Sequence, residues 1–157
     1  MSAPIFEPAD PDFATRVRES FARQPMMAHL GAEIVLVEPG HVEIAMPFHD
    51  ALTQQHGFVH AGALASIADS AGGYAATSLF PATAQPLTVE FKLNLLAPAA
   101  GERFLAVGRV LRPGRTLTVC ELQVHAERAG ESKLCATGLQ TMMRIEGRAD
   151  VAETAAG

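Results

Sequence analysis

The fold of this chain is decided by residues 54–80, which read QQHGFVHAGALASIADSAGGYAATSLF. From Ala61 onward, small and apolar residues recur at helical spacing for about five turns, and no proline interrupts them until Pro81. A helix that is apolar on nearly every side is usually buried. We therefore predict that this helix forms the centre of the domain.

The predicted helix carries one carboxylate among its small residues. Asp69 is flanked by Ala and Gly and has no basic partner nearby in the sequence. Burying a carboxylate costs several kcal/mol unless hydrogen bonds or an ion pair compensate. Asp69 is therefore either an ordinary buried carboxylate that tertiary neighbours satisfy, or a functional group.

The start of the helix is also unusual. Gly57 and Gly62 bracket His60 and Ala61. Small residues at this point leave the first-turn N–H groups accessible to an anion or a polarised carbonyl oxygen. His60 could cap the helix, pack against its neighbours or take part in catalysis.

Composition limits the class of protein and its partners. The 157 residues suffice for one domain, 48% of them are hydrophobic, and the net charge of −5 argues against nucleic-acid binding. No signal peptide or membrane-spanning run is present, so we expect a cytoplasmic protein with no membrane partner. Neither the histidines nor Cys120 and Cys135 have the spacing of a metal site, so we expect no metal, no cofactor and two reduced core thiols.

The remaining pattern predicts an α+β domain. A first helix and two strands precede the long helix, and four strands with hairpin-length connections follow it, which favours a mainly antiparallel sheet around one helix. We divide the chain into an N-terminal helical segment (1–30), the main domain (31–146) and a flexible tail (147–157). The predicted strands are 33–38, 41–48, 87–95, 103–111, 116–127 and 133–145.

Residues 56–69, HGFVHAGALASIAD, resemble the H-G-x-x-H-G-G-x-x-x-x-x-x-D segment of hot-dog-fold acyl-CoA thioesterases, particularly the phenylacetyl-CoA thioesterase (PaaI-like) branch. Residues 86–99, PLTVEFKLNLLAPA, are similar to the strand that follows the helix in that family. The resemblance covers residues 32–145. It implies a hot-dog fold, in which an antiparallel sheet wraps around a long central helix, and hydrolysis of an acyl-CoA thioester to the free acid and coenzyme A.

Thioester hydrolysis needs an activated water or a nucleophile, together with donors for the negative charge that develops on the carbonyl oxygen. Asp69 would supply the base or nucleophile, the N–H of Ala61 would supply the oxyanion donor, and Gly62 beside it would contact the bound substrate. Ala61 replaces the family's usual glycine, a change that a position contributing only its N–H tolerates.

Four further residues are candidates for the site. Gln54 stands where the family commonly has an asparagine that positions the attacking water, but it could also be a solvated loop residue. Thr88 matches a Ser/Thr that helps to hold the water, and is otherwise an ordinary strand hydroxyl. Arg112 and Arg115 flank an exposed turn where they could contact the phosphates of coenzyme A.

Helix geometry predicts an oligomer. Asp69 lies eight residues beyond Ala61, so the two are separated by about 12 Å along one helix axis. One thioester carbon cannot contact both. We therefore expect a homodimer, or a dimer of dimers, in which each site combines Asp69 of one chain with Ala61 of another.

Two other functions remain open at this point. A hot-dog-fold enoyl-CoA hydratase or dehydratase would use Asp69 with His60 for proton transfer at carbon. A non-enzymatic acyl-CoA-binding module would use the same pocket without chemistry. The aromatic content, eight Phe and one Tyr without Trp, does not distinguish an aryl-acetyl from an aliphatic acyl group.

Overall fold

The computed structural model describes residues 5–147. The predicted tail, residues 147–157, therefore lies outside the described residues except for Gly147. The helices and strands follow in the order α1 (Phe13–Ala22), α2 (Pro25–His29), β1 (Glu33–Glu38), β2 (His41–Pro47), a 3-10 turn (Asp50–Leu52), α3 (Ala61–Thr77), β3 (Ala84–Leu95), β4 (Arg103–Arg112), β5 (Leu117–Arg128) and β6 (Glu131–Glu146).

The six strands form one antiparallel sheet in the order β1-β2-β4-β5-β6-β3. Strands β4, β5 and β6 are joined in order by two short hairpin turns, as the sequence predicted. The connection from β3 to β4 is not a hairpin, because β3 pairs with β6 at the edge of the sheet and the chain crosses from there to β4. Helix α3 packs across one face of the sheet and contacts β2 through β6. The chain therefore has the α+β hot-dog fold that the sequence predicted.

Helix α3 is the centre of the hydrophobic core. Twelve of its 17 residues are buried, among them Leu64 and Ile67. The helix lies so close to the sheet that a Cβ atom on Gly108 of β4 would come within 2.3 Å of the Ala71 main chain. Glycine at this position therefore sets how closely helix and sheet approach.

The N-terminal segment holds the C-terminal end of α3. Val17 of α1 is fully buried, and the Arg16 guanidinium donates hydrogen bonds to the carbonyls of Thr77 and Phe80 at 3.3 and 2.7 Å. Arg16 also forms an ion pair with Asp10 at 2.9 Å. A cation on the unpaired carbonyls of a helix end is favourable, so this contact stabilises the end of the central helix.

No helix among residues 5–147 is both long enough and apolar enough to span a bilayer.

Candidate active site

The Asp69 carboxylate is held by hydrogen bonds from two neighbouring strands. It is half-buried on α3, and its Oδ1 accepts hydrogen bonds from Thr88 Oγ1 of β3 at 2.8 Å and from Gln140 Nε2 of β6 at 2.5 Å. Oδ2 accepts none from residues 5–147, yet it is not enclosed. No Lys, Arg or His in the described chain forms an ion pair with Asp69, so Oδ2 has no charged partner there.

Small residues on α3 make this contact possible. The Gln140 side chain passes beneath the helix at Gly72, where a Cβ atom would stand only 1.9 Å from Gln140 Oε1. The lack of a side chain at Gly72 therefore allows Gln140 of the sheet to reach Asp69 on the helix.

Gln140 is the site residue that the sequence analysis missed. It lies on the inward-facing phase of β6, between Gly138 and Met142, and its side chain is 1% exposed. The signal that could have found it is a single amide among the small and apolar residues Ala136, Gly138 and Met142 on the same phase of β6, because a buried amide needs a polar partner.

His60 is the N-cap of α3. Its backbone is extended, with φ −62° and ψ 139°, and its Nδ1 accepts the hydrogen bond of the Gly62 N–H at 2.8 Å. The neutral ring must then carry its proton on Nε2. Of the two N–H groups expected at this end of the helix, that of Gly62 is thus occupied, whereas that of Ala61 has no acceptor among residues 5–147.

The loop before α3 is tied to the rest of the domain. The His60 N–H donates to Leu52 O at 2.8 Å, and the Val59 N–H donates to Ala99 O at 3.1 Å. Gln54 Oε1 accepts the hydrogen bond of the His56 N–H, so this side chain shapes its own turn. The Gln54 Nε2 group has no acceptor in the described chain, and a role in positioning water stays a prediction.

Asp69 and Ala61 lie on one continuous helix, as the sequence predicted. Their separation of eight residues corresponds to about 12 Å along the axis. A single chain therefore presents the carboxylate and the free helix N–H too far apart for one carbonyl group.

Arg112 is the last residue of β4 and Arg115 lies in the connection from β4 to β5, and both are exposed. This connection is linked to the sheet by the Gly114 N–H, 3.5 Å from Thr118 Oγ1. Thr118 pairs with Met142 of β6, which in turn pairs with Thr88 of β3. Thr118 and Thr88 therefore lie two strand spacings, or about 10 Å, apart across the sheet. Because the two arginines are close to Thr118 along the chain, they lie at the same end of the sheet as Thr88.

Neither cysteine is suited to nucleophilic chemistry. Both are buried and unpaired, and burial raises the pKa of Cys120 to about 12 and also raises that of Cys135. A thiol with a raised pKa carries little of the reactive thiolate at neutral pH. Within residues 5–147, no three His, Cys, Asp or Glu side chains are grouped so that they could hold a metal ion.

The sequence and the structure of this chain are both similar to those of known thioesterases. The family model of the thioesterase superfamily matches residues 56–133. A thioesterase family protein from Silicibacter pomeroyi has a solved structure that is 54% identical, with a TM-score of 0.85, covering 86% of this chain and 99% of that one. The chain belongs to the thioesterase superfamily.

More distant relatives agree with this assignment. SSO1253 of Saccharolobus solfataricus, which is provisionally named an esterase, is 30% identical over 127 residues, 81% of this chain and 82% of that protein. The PaaI protein from the phenylacetic acid degradation operon of E. coli is 20% identical with a TM-score of 0.77, covering 88% of this chain and 97% of that one. At this identity the similarity to PaaI concerns the fold alone.

Proposed function

We propose that the protein is an acyl-CoA thioesterase, which hydrolyses an acyl- or aryl-acetyl-CoA to the free acid and coenzyme A. The observation that carries this proposal is the Asp69 carboxylate, which is fixed through one oxygen and free at the other on the central helix of a thioesterase-superfamily fold. The cytoplasmic location expected from the sequence stays a prediction.

In the proposed reaction, Asp69 acts as general base or as nucleophile. As a base, it takes a proton from water while the water oxygen attacks the thioester carbonyl; as a nucleophile, it forms an acyl-enzyme anhydride that water then hydrolyses. Either path places negative charge on the carbonyl oxygen before the C–S bond breaks and the coenzyme A thiolate leaves. In the first path Gln54 would donate a hydrogen bond to the water, whereas Thr88, whose one hydroxyl proton is donated to Asp69 Oδ1, would accept a hydrogen bond from it.

The Ala61 N–H is the proposed oxyanion donor. It is unpaired at the positive end of the α3 dipole, and His60 holds the chain there by capping the adjacent Gly62 N–H. Gly62 leaves room for the His60 ring, since a Cβ atom there would be 3.0 Å from Nδ1. Gly62 is exposed and has no side chain, so we propose that the substrate contacts its main chain.

A second copy of the chain would complete each site. Strand β3 is a 12-residue edge strand that pairs only with β6 among the described strands. Its side chains Leu87, Val89, Phe91 and Leu95 are between 44% and 55% exposed. A long apolar edge strand favours pairing with another chain. We propose that β3 pairs with its symmetry mate in a homodimer, alone or within a dimer of dimers, with Asp69 of one chain serving the same site as Ala61 of the other.

Arg112 and Arg115 are the proposed contacts for the phosphates of coenzyme A. Both are exposed, and neither forms an ion pair with another described residue. Guanidinium groups bind phosphate oxygens with two parallel hydrogen bonds, which suits them to this ligand.

The hydratase alternative is less favoured. With Nδ1 accepting the Gly62 N–H, the neutral His60 ring can donate a proton from Nε2 but has no free ring nitrogen with which to accept one, so it could not serve as a base at carbon. The binding-module alternative predicts affinity for acyl-CoA without turnover.

The test is incubation of the purified protein with a panel of acyl- and aryl-acetyl-CoAs in the presence of a thiol reagent. Release of free thiol together with the carboxylic acid is expected. Addition of water to an enoyl-CoA without thiol release would favour the hydratase, and binding without any product would favour the non-enzymatic module.

A further inference from the structure

Gln140 makes the most buried polar contact of the site. Its side chain is 1% exposed, and Nε2 donates both to the main-chain oxygen of Asp69 at 3.1 Å and to Oδ1 at 2.5 Å. One amide group thus holds the backbone and the side chain of the same residue.

This contact leaves another atom unsatisfied. Gln140 Oε1 is buried, has no hydrogen-bond donor in the described chain, and lies against Gly72 of α3. A buried carbonyl without a donor destabilises a fold, and an apolar side chain of similar length would avoid that loss. The opposite amide orientation is worse, because it would turn Oε1 toward the Asp69 carboxylate. What a glutamine gains over such an apolar side chain is the pair of hydrogen bonds to Asp69.

The pair of donors on Oδ1 does have a chemical consequence. Thr88 reaches Oδ1 from β3 and Gln140 reaches it from β6, so the carboxylate is fixed from two rigid strands. Without them, an aspartate side chain on a helix can change rotamer or bond to nearby main chain. With them, Oδ2 is the oxygen presented away from the sheet.

We propose that Gln140 is a positioning residue that acts through Asp69: it holds Oδ1 so that Oδ2 alone meets the attacking water or the thioester carbon. This inference rests on the proposed thioesterase function. Gln140 itself contacts no substrate. Its role is to keep the reactive oxygen in one orientation at the expense of an unsatisfied carbonyl.

The test is Gln140→Met, which keeps the length of the side chain and removes both the donor and the unsatisfied oxygen. We expect kcat to fall about 10- to 100-fold, the range for loss of one hydrogen bond to a charged group. KM and the affinity for a non-hydrolysable thioether analogue of the substrate should stay within about twofold. The melting temperature should change little, because removal of the buried unpaired carbonyl offsets the loss of the two hydrogen bonds to Asp69.

Thr141→Val is the matched control. Thr141 is the next residue of β6, but its hydroxyl lies on the other face of the sheet and donates to Glu90 at 3.2 Å. This variant removes one polar group from the same strand and should keep wild-type kcat.

Gln140→Glu is the second variant, and it tests the donor directly. The introduced carboxyl group can donate to Asp69 Oδ1 only while protonated, and two carboxylates in contact repel once both ionise. The ratio of variant to wild-type kcat should therefore fall as pH rises from about 6 to about 9. A purely structural role predicts a ratio independent of pH in this range.

The outcomes separate the inference from the function on which it rests. If the wild-type protein hydrolyses no thioester, the proposed function fails and the inference fails with it. If the wild type is active while Gln140→Met keeps full kcat, the inference alone is overturned. It is also overturned if Gln140→Met lowers kcat, analogue affinity and melting temperature together, because that pattern describes a packing residue.

Discussion

Replacement of Asp69 by asparagine separates the chemical role of this residue from its structural role. The amide is nearly the same size and keeps one acceptor oxygen, so Thr88 and Gln140 can still donate to it. The negative charge is lost, and with it the capacity to take a proton or attack a carbonyl. We therefore expect a folded protein that binds substrate and turns it over slowly.

The two effects differ in size. Hydrogen bonds to a charged group contribute roughly 1 kcal/mol more than neutral ones, so the two bonds to Asp69 lose about 2 kcal/mol together. Relief from partial burial of a charge offsets part of that loss. The free energy of unfolding should therefore fall by at most about 2 kcal/mol, which lowers Tm by no more than about 8 °C. Loss of a general base lowers kcat about 10²- to 10⁴-fold, equivalent to roughly 2.7–5.4 kcal/mol in the barrier.

The assay measures thiol release under single-turnover conditions, with circular dichroism and binding of a thioether analogue as checks on fold and affinity. Asp12→Asn makes the same chemical change at an exposed position on the N-terminal side of α1, where the side chain caps no helix N–H, and should leave kcat unaltered. If Asp69→Asn folds normally, binds the analogue and keeps kcat within threefold of the wild type, Asp69 is an ordinary satisfied carboxylate and the proposed mechanism is refuted.

Three other predictions concern the Gln140 contact, the two arginines and the expected lack of a metal. Gly72→Ala should displace the Gln140 amide, because the new Cβ would stand 1.9 Å from its oxygen, and should lower kcat about 10-fold or more; a wild-type kcat would contradict this. Replacing Arg112 and Arg115 together by Ala should raise KM for acyl-CoA by up to about 30-fold, with no effect on a short thioester that lacks the coenzyme A nucleotide; equal loss on both substrates would exclude phosphate contacts. Dialysis against a chelator should leave turnover unchanged, whereas complete loss that zinc restores would exclude this chemistry.

Most of the helices and strands could be predicted from the sequence because each is specified by a pattern within its own segment. Apolar alternation identified the strands, and the small-residue run from Ala61 identified the central helix. One error concerns the start of β3, which was predicted at Leu87 because the apolar alternation begins there. The strand begins at Ala84, and Pro86 is tolerated because β3 pairs with only one strand among those described.

The residues of the site were predicted from the helix segment itself and, for Thr88 on β3, from the family resemblance. Asp69, His60 and Ala61 lie within nine residues of one another, on the helix and its cap. Gln140 lies 71 residues beyond Asp69, and it reaches the carboxylate only because the sheet register and Gly72 bring it there. No periodicity in the sequence encodes that contact, so it required the folded chain.

The most direct test of the composite site is complementation between two inactive variants. Ala61→Pro removes the oxyanion donor at the first position of α3, where proline fits, and His60 already has the extended backbone that precedes a proline. Asp69→Asn removes the base or nucleophile. Each variant alone should be nearly inactive.

The two variants are mixed one to one under conditions in which subunit exchange is demonstrated. About half of the dimers should then be mixed, and each mixed dimer has one intact site out of two, so about a quarter of wild-type activity should return. Return of that activity is expected if each site combines Asp69 of one chain with Ala61 of its partner. If both variants fold, dimerise and exchange subunits but no activity returns, the two residues do not form one site and the account is wrong.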